Sequence, residues 1–415
     1  MNNDVVGQCE AKCDAPLIGL ARLMRMAVSG VDLGPLGTEL IARAGADPRT
    51  ADANALMDLS TVLQLRGNRE LAMEIQSQAL AIQQLYSPPM GGGCRETIRL
   101  LAIMGPGDLM ANSPIELLLE EASVALDILY VTEKRGMPDC VPEHDVLFVA
   151  IAESEQNLPL LQKVGEAVAC WPRPVLNRPE RIAMLSRDQN CALLKPVSAL
   201  DIPTTVRVTR QALEQLADGE RTLAEILDDG GFPVIVRPVD SHAGQGLEKI
   251  EDAAGLAGYL AQLANDEFYI SRFVDYRGAD GLFRKYRIVL IEGRPFVCHV
   301  GISTHWMIHY LNAGMAESAE KRDEEARFMA DFDSTFALRH ADAFRGINQR
   351  VGLDYVGIDC AQTAEGKLLI FEVDSCMIVH AIDSIDIFPY KQPQMKKVFN
   401  AFSQMLVHAA GMQTR

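Results

Sequence analysis

Two periodicities divide the chain. Between about residues 15 and 86, apolar residues recur at three- and four-residue steps. "DANALMDLSTVLQLRGNRELAMEIQSQALAIQQLY" carries this pattern on both sides of Gly67-Asn68. The spacing predicts an antiparallel pair of helices, roughly 13 and 17 residues long. "SPPMGGGC", residues 87–94, has the composition of a linker, so a helical module is expected over 1–90.

Beyond the linker the period shortens. "TIRLLAIM", "VALDILYV" and "HDVLFVAIAE" are short apolar runs of strand character. Between and after them lie "SPIELLLEEA", with Ser113 placed to cap a helix, and "NLPLLQKVGEAVAC". Strands alternating with helices predict a small parallel sheet over 91–178. The loop "GPGDLMANSP" follows its first strand, at the end where such sheets bind ligands. It lacks G-x-G-x-x-G, which points to a substrate rather than a dinucleotide.

The remainder, 179–415, is mixed. "NRPERIAMLSRDQNCALL" reads as a helix. "DIPTTVRVT", "FPVIVRPVDSHAGQGLEKI", "DEFYISRFVDY", "KYRIVLIEGRPFVCHVGIS", "DYVGIDCAQ" and "KLLIFEVDS" read as strands joined by Gly-containing turns, so antiparallel pairing is expected. "AESAEKRDEEARF" is charge-rich, and a solvated helix is the default reading.

Composition then narrows the classes. At 415 residues the chain exceeds one compact core, which suggests two or three domains. A net charge of −17 argues against a general nucleic-acid or anionic-membrane binder. No run of about 18 apolar residues occurs, and the N-terminal stretch lacks the pattern of a secretory signal. The nine cysteines are scattered and odd in number, which suits reduced thiols and a cytoplasmic location. Cys9 and Cys13 lie four apart with no second pair nearby, so a metal site is not expected there.

The sharpest chemical signal is "YVGIDCAQTAEGKLLIFEVDS". With Glu365-Gly366 as turn centre, Asp359 faces Glu372, and Asp374 shares Glu372's face opposite Gly357, leaving open space beside it. Facing carboxylates inside apolar strands are unfavourable, and a hard divalent cation such as Mg²⁺ resolves the conflict. The alternative is an acidic edge facing solvent, or carboxylates paired with Arg and Lys. Upstream, "PVIVRP" delivers Arg237 to a Gly-bearing loop. That arrangement suits either a phosphate or a plain hairpin with a surface arginine.

The order of these elements resembles the ATP-grasp superfamily over residues 95–400, close in kind to ribosomal-protein-modifying glutamate ligases and glutathione-synthetase-like enzymes. The helical pair resembles one tetratricopeptide unit, expected to pack on neighbouring helices or to mediate self-association. The resemblance implies an α/β fold, with a Rossmann-like domain before an ATP-grasp domain of two lobes split near 270. It implies ATP and Mg²⁺, with the ion on Asp359, Glu372 and Asp374; Asp374 stands where the family usually has Asn. Arg237 takes the place of the usual phosphate-binding Lys. The loop Ser241, His242, Ala243, Gly244, Gln245 and Gly246 corresponds to the phosphate lid.

The second phosphate-binding Lys aligns with Gln189, and Arg187 is the substitute. Backbone groups near Ser271, Arg272 and Phe273 are the adenine hinge, and Asp275 is the carboxylate for the ribose. Arg287 and Lys285 stand where the family places cations against the reacting carboxylate and phosphoryl group. Trp306, Asn312, His380 and Lys391 are the substrate-side candidates. His305 and His309 have the spacing of a zinc pair on a helix but no acidic partner of the H-E-x-x-H kind.

The implied function is an ADP-forming carboxylate–amine ligase acting through an acylphosphate on an amino acid or peptide. The alternatives are an ATP-grasp phosphotransferase, and a helical-repeat scaffold with a degenerate nucleotide domain.

Overall fold

The structure is a computed structural model, and it describes residues 15–45, 50–89, 98–120, 122–241 and 244–412. Cys9, Cys13 and His242 lie outside these residues.

The chain opens with four helices, α1 (Leu20–Val28), α2 (Gly34–Ala44), α3 (Ala53–Leu65) and α4 (Arg69–Ile82). The expected antiparallel pair is α3 and α4, with Gly67 in a left-handed turn between them. The likeness to a tetratricopeptide unit rests on the sequence alone.

Next come β1 (Leu85–Tyr86), β2 (Ile98–Met104), α5 (Ile115–Leu118), β3 (Val124–Tyr130), β4 (Val146–Val149), α6 (Leu158–Val168) and β5 (Val175–Leu176). Strands β2 to β5 form the expected parallel sheet, with β1 added antiparallel in the order β1-β3-β2-β4-β5. Strand β2 is apolar almost throughout because both faces are covered. Leu100, Ala102 and Met104 join a core shared with the N-terminal helices, while Leu101 and Ile103 join the core on the other side. The helices at 17–80 therefore pack into the sheet's own core. Ser113 does not cap α5. The N-cap position of α5 is Pro114, and the Ser113 hydroxyl donates to the Ser375 carbonyl at 2.6 Å.

The predicted helix over 177–194 breaks into α7 (Pro179–Ile182) and α8 (Arg187–Leu194). After β6 (Leu200–Asp201), a small lobe follows: β7 (Thr205–Thr209), α9 (Arg210–Ala217), β8 (Val234–Pro238), β9 (Glu248–Ile250), α10 (Ala253–Leu260) and β10 (Glu267–Arg272). Its sheet runs β7-β10-β8-β9, all antiparallel, over a core of its own between Leu213 and Ile270.

The chain then forms β11 (Phe283–Ile291), β12 (Arg294–Ser303), α11 (Ala319–Asp331), α12 (Phe336–Arg339), α13 (Ala341–Val351), β13 (Tyr355–Gln362), β14 (Leu368–Asp374) and α14 (Lys391–Ala409). This third sheet runs β12-β11-β13-β14-β6. Helix α14 closes the far side, with Phe402 against Phe148 and Tyr355 at ring distances of 5.7 and 5.4 Å.

Helix α11 is not wholly solvated. Glu325 is fully buried, accepting from the Val300 amide at 2.8 Å and the Tyr390 hydroxyl at 2.7 Å, with Lys391 Nζ at 3.7 Å.

Candidate active site

A cavity of 410 Å³ lies between the small lobe, the third sheet and the loops of the parallel sheet. That volume is in the range of small-molecule sites. Five cations, Arg187, Arg237, Arg272, Lys285 and Arg287, and five carboxylates, Glu153, Asp240, Asp359, Glu372 and Asp374, line it. Ile202, Ile235, Phe273, Val274 and Leu369 add an apolar portion.

The floor is built by β11, β13 and β14. Asp359 pairs with Arg287 on one side and with Glu372 on the other. The predicted facing of Asp359 and Glu372 is present, and Asp374 faces Gly357. The route to it differs from the simple turn. Gln362 pairs with Leu368, and residues 364–366 form the loop, with Gly366 at φ 83°. That register is one residue off the register at Asp359. A bulge between Asp359 and Cys360, with Phe371 as the extra residue on β14, restores it. The space beside Gly357 is not open. A Cβ there would meet the Met377 sulfur at 2.7 Å.

Asp359 is 2% exposed, and both its oxygens are engaged. Lys285 Nζ donates to Oδ2 at 2.8 Å, Arg287 Nε to Oδ1 at 2.8 Å, and Arg287 Nη2 to Oδ2 at 2.9 Å. Burial alone would raise its pKa, but Arg287 and Lys285 hold it far below the usual carboxylate range. Burial likewise works against the charge of Arg287, and Asp359 reverses the sign. Glu372 is held low by Arg187, the first residue of α8, against the opposing effect of burial. Asp374 accepts from the Cys376 amide at 3.0 Å.

Pairing with Arg and Lys is thus what the structure displays on this hairpin. Among the described residues, no group of three or more His, Cys, Asp and Glu side chains is arranged to hold a metal. Glu372 and Asp374 nevertheless share one strand face on the cavity wall. Mg²⁺ needs only one or two protein carboxylates when phosphate oxygens supply the rest. The residues fit a phosphate-borne ion and do not fit one held by protein alone.

The roof is the β8–β9 hairpin. Arg237 is 8% exposed and donates from Nε to Ser241 Oγ at 3.0 Å and from a second nitrogen to the Ser241 carbonyl. Burial, and then Arg187, lower its pKa to about 10, so it remains charged at neutral pH. Gly244 lines the cavity. Gly246 does not. Its carbonyl accepts from Tyr259, and a Cβ there would meet Pro238 at 2.8 Å at a φ of 63°. Gln245 is also absent from the wall.

At the hinge, Ser271, Arg272 and Phe273 border the cavity. The Phe273 amide donates to the Pro233 carbonyl at 3.1 Å, and Ser271 and Arg272 pair with Ile235 and Val234 of β8. Asp275 turns away to Arg277 at 2.8 Å and is not on the wall.

On the substrate side, Trp306, His309 and Asn312 line the cavity. The segment holding His305 and His309 is not helical, so the two do not share a helix face. His380 and Lys391 are not on the wall. Lys391 is 2% exposed and bonded to Asp383 at 2.9 Å and to Tyr310. Sequence reasoning missed Glu153, which lies beyond the C-terminal end of β4. Its pKa is raised to about 7, by burial first and then by Asp240 and Asp374. Its place at the end of a parallel strand was a usable signal.

No family model matches the chain. Among solved structures, it is similar to a RimK domain ATP-grasp protein from Sphaerobacter thermophilus, at 13% identity over 74% of this chain and 99% of that one, with a TM-score of 0.42. It is similar to D-alanine–D-alanine ligase from Bacillus anthracis complexed with ATP, at 12% identity over 77% and 100%, with a TM-score of 0.43. It is also similar to VanG D-Ala:D-Ser ligase from Enterococcus faecalis, at 16% identity over 76% and 99%, with a TM-score of 0.46.

Proposed function

We propose that the chain is an ATP-dependent, ADP-forming carboxylate–amine ligase of the ATP-grasp type, acting on an amino acid or peptide through an acylphosphate. The observation that carries this reading is the convergence of Arg187, Arg237, Lys285 and Arg287, from the three elements α8, β8 and β11, on one cavity that also holds Glu372 and Asp374. Such a site suits phosphoryl transfer, where the protein's work is alignment and charge neutralisation.

In this reading Arg237 and the backbone from Gly244 hold the terminal phosphates, and Arg187 approaches from α8. The apolar portion beside the hinge receives the base. Lys285 and Arg287, braced on Asp359, face the substrate carboxylate and the phosphoryl group it receives. Glu372 and Asp374 would hold Mg²⁺, which when bound neutralises phosphate charge. The reaction needs no enzyme nucleophile. Burial pushes the thiols of Cys298, Cys360 and Cys376 up, and this supports the reading.

The test is stabilisation by nucleotide followed by turnover. Saturating ATP or ADP with Mg²⁺ raises the unfolding temperature, and ADP release appears against pools of acids and amines. A chain indifferent to saturating nucleotide is a scaffold, and the proposal is then wrong.

A further inference from the structure

Lys285 and Arg287 are flanked by two irregular segments of the cavity wall. On one side the chain after β12 folds back over its own strand. Gly301, the partner of Lys285 on β12, gives it room, since a Cβ there would meet Ile308 Cγ2 at 2.7 Å. Ile308 and its neighbour His309 therefore stand beside Lys285, and both line the cavity. On the other side the chain after β14 passes Arg287, whose Nη1 donates to the Ile378 carbonyl at 3.2 Å. Met377 seats against Gly357, and Met377 and Ile378 also line the cavity.

The first segment is fixed from behind. The Tyr276 hydroxyl donates to the Trp306 carbonyl, and Lys321 Nζ donates to the Ala313 carbonyl. Tyr310 is held by Lys391 and lies 4.3 Å from the His299 ring. Neither Tyr310 nor Lys391 reaches the cavity wall. The polar groups this segment does present there are the side chains of His309 and Asn312. Burial, and then Lys285 and Arg287, lower the pKa of His309, so its ring is neutral at pH 7.

The other cations of the wall are engaged elsewhere. Arg187 is on Glu372, and Arg237 is on Ser241 beside the glycine loop. Arg272 lies 3.4 Å from Asp229 and 3.5 Å from Asp201. Among the described residues, this leaves Lys285 and Arg287 for the reacting carboxylate and no Lys or Arg for a second one. Glu153, Asp240 and Asp374 on the same wall would repel it. A carboxylate taken out of water without a countercharge is costly.

We propose that the acid this chain activates carries one carboxylate only: an amino acid or peptide C-terminus whose side chain is apolar or neutral, seated among Ile308, His309, Asn312, Met377 and Ile378. The apolar flanks cover the side chain, and His309 and Asn312 offer it uncharged hydrogen-bonding groups. The inference rests on the ligase reading above and narrows its substrate.

The experiment uses the full chain with saturating ATP and Mg²⁺, and hydroxylamine as the amine. Hydroxylamine attacks the acyl carbon of the acylphosphate, inorganic phosphate leaves, and the hydroxamate is measured, so the natural amine need not be known. Alanine, serine, valine, leucine and asparagine are compared with aspartate and glutamate, each free and as the last residue of an alanyl dipeptide. The best neutral acid is expected to exceed both dicarboxylic acids by at least ~30-fold in kcat/KM. Asn312, exposed where it lines the cavity, accommodates a longer side chain. Asn312→Arg adds a cation to this wall and moves that ratio toward aspartate and glutamate by ~10-fold or more. Aspartate or glutamate used as well as the neutral acids overturns the proposal, and so does a ratio that Asn312→Arg leaves in place. A chain that binds nucleotide and forms no hydroxamate from any neutral acid also overturns it. A chain that binds no nucleotide gives a different result, which removes the ligase reading and this inference with it.

Discussion

Arg287 closes on Asp359 from the directly opposed position of the neighbouring strand, through Nε to Oδ1 at 2.8 Å and Nη2 to Oδ2 at 2.9 Å. A fork of two parallel bonds is a geometry that Arg offers and Lys does not. Lys285, two residues away on the same strand, completes the grip. A buried pair of this kind becomes a liability when one member is removed, because the other is left charged and desolvated.

The first prediction concerns that pair. Arg287→Ala leaves Asp359 with Lys285 alone and lowers stability by about 3 kcal/mol. It also lowers turnover at least ~100-fold, through lost stabilisation of the transferring group. Asp359→Asn is destabilising in the same way, so Glu372→Gln, at a partly exposed position, is the cleaner variant for turnover. Denaturant unfolding and ADP release check both effects. Unchanged stability in Arg287→Ala would contradict the geometry described.

Arg237 spans two tasks, since it lines the cavity and holds Ser241 at the entrance of the glycine loop. Arg237→Ala is expected to weaken nucleotide binding by about 30-fold or more, the loss of a charge-assisted contact. Arg237→Lys keeps the charge but not the fork to Ser241, and recovers only part of the affinity. Calorimetric titration with ADP decides, and equal affinity in all three chains would remove Arg237 from the phosphate site.

Lys391 is a structural cation, buried against Glu325 and Asp383. Lys391→Met is expected to cost about 3–5 kcal/mol by stranding Glu325. Adding Glu325→Leu should return much of that loss. A double-mutant cycle by chemical denaturation measures the coupling. Additive losses would show that the two side chains do not depend on each other.

The pH dependence follows from Glu116 and Asp58. Burial is the main cause of both raised values, about 7 and about 6. The groups that face them are Glu120 and Asp58 for Glu116, and Arg43 and Asp52 for Asp58. A raised folded pKa means that the folded state holds the proton more tightly. The contribution is therefore complete below the unfolded values near 4 and is lost as pH rises toward about 7. The folding free energy should fall between about pH 5 and pH 7 by about 2 kcal/mol for Glu116. Glu116→Gln should flatten that fall, and parallel curves for parent and variant would refute the assignment.

The facing of Asp359 and Glu372 was legible in the sequence, but only because two deviations cancel. The loop is one residue longer than a two-residue turn, and the Phe371 bulge adds one residue back. A strand's side-chain alternation reports faces locally and cannot report a bulge, which depends on the partner strand. Arg187 was named only through the resemblance, as the substitute beside Gln189. Its grip on Glu372 was not legible, since 185 positions separate them.

The sequence by itself determined the kinds of element and their order. It showed amphipathic helices, then an alternating α/β segment, then apolar hairpins with charges at chosen positions, because backbone periodicity is local. It also singled out the residues whose charge is costly in an apolar strand. Only the tertiary structure decided which charges meet. Asp359 is embraced by Lys285 and Arg287, Lys391 is turned inward to Glu325, Asp275 is turned away to Arg277, and Glu153 is brought to the cavity wall. The reason is that partner choice depends on distances between segments far apart in the chain, and no local pattern carries them. The shared core of the N-terminal helices and the sheet, with Asp58 and Glu116 at the seam held by backbone amides of α1 and the residues before it, belongs to the same class of facts.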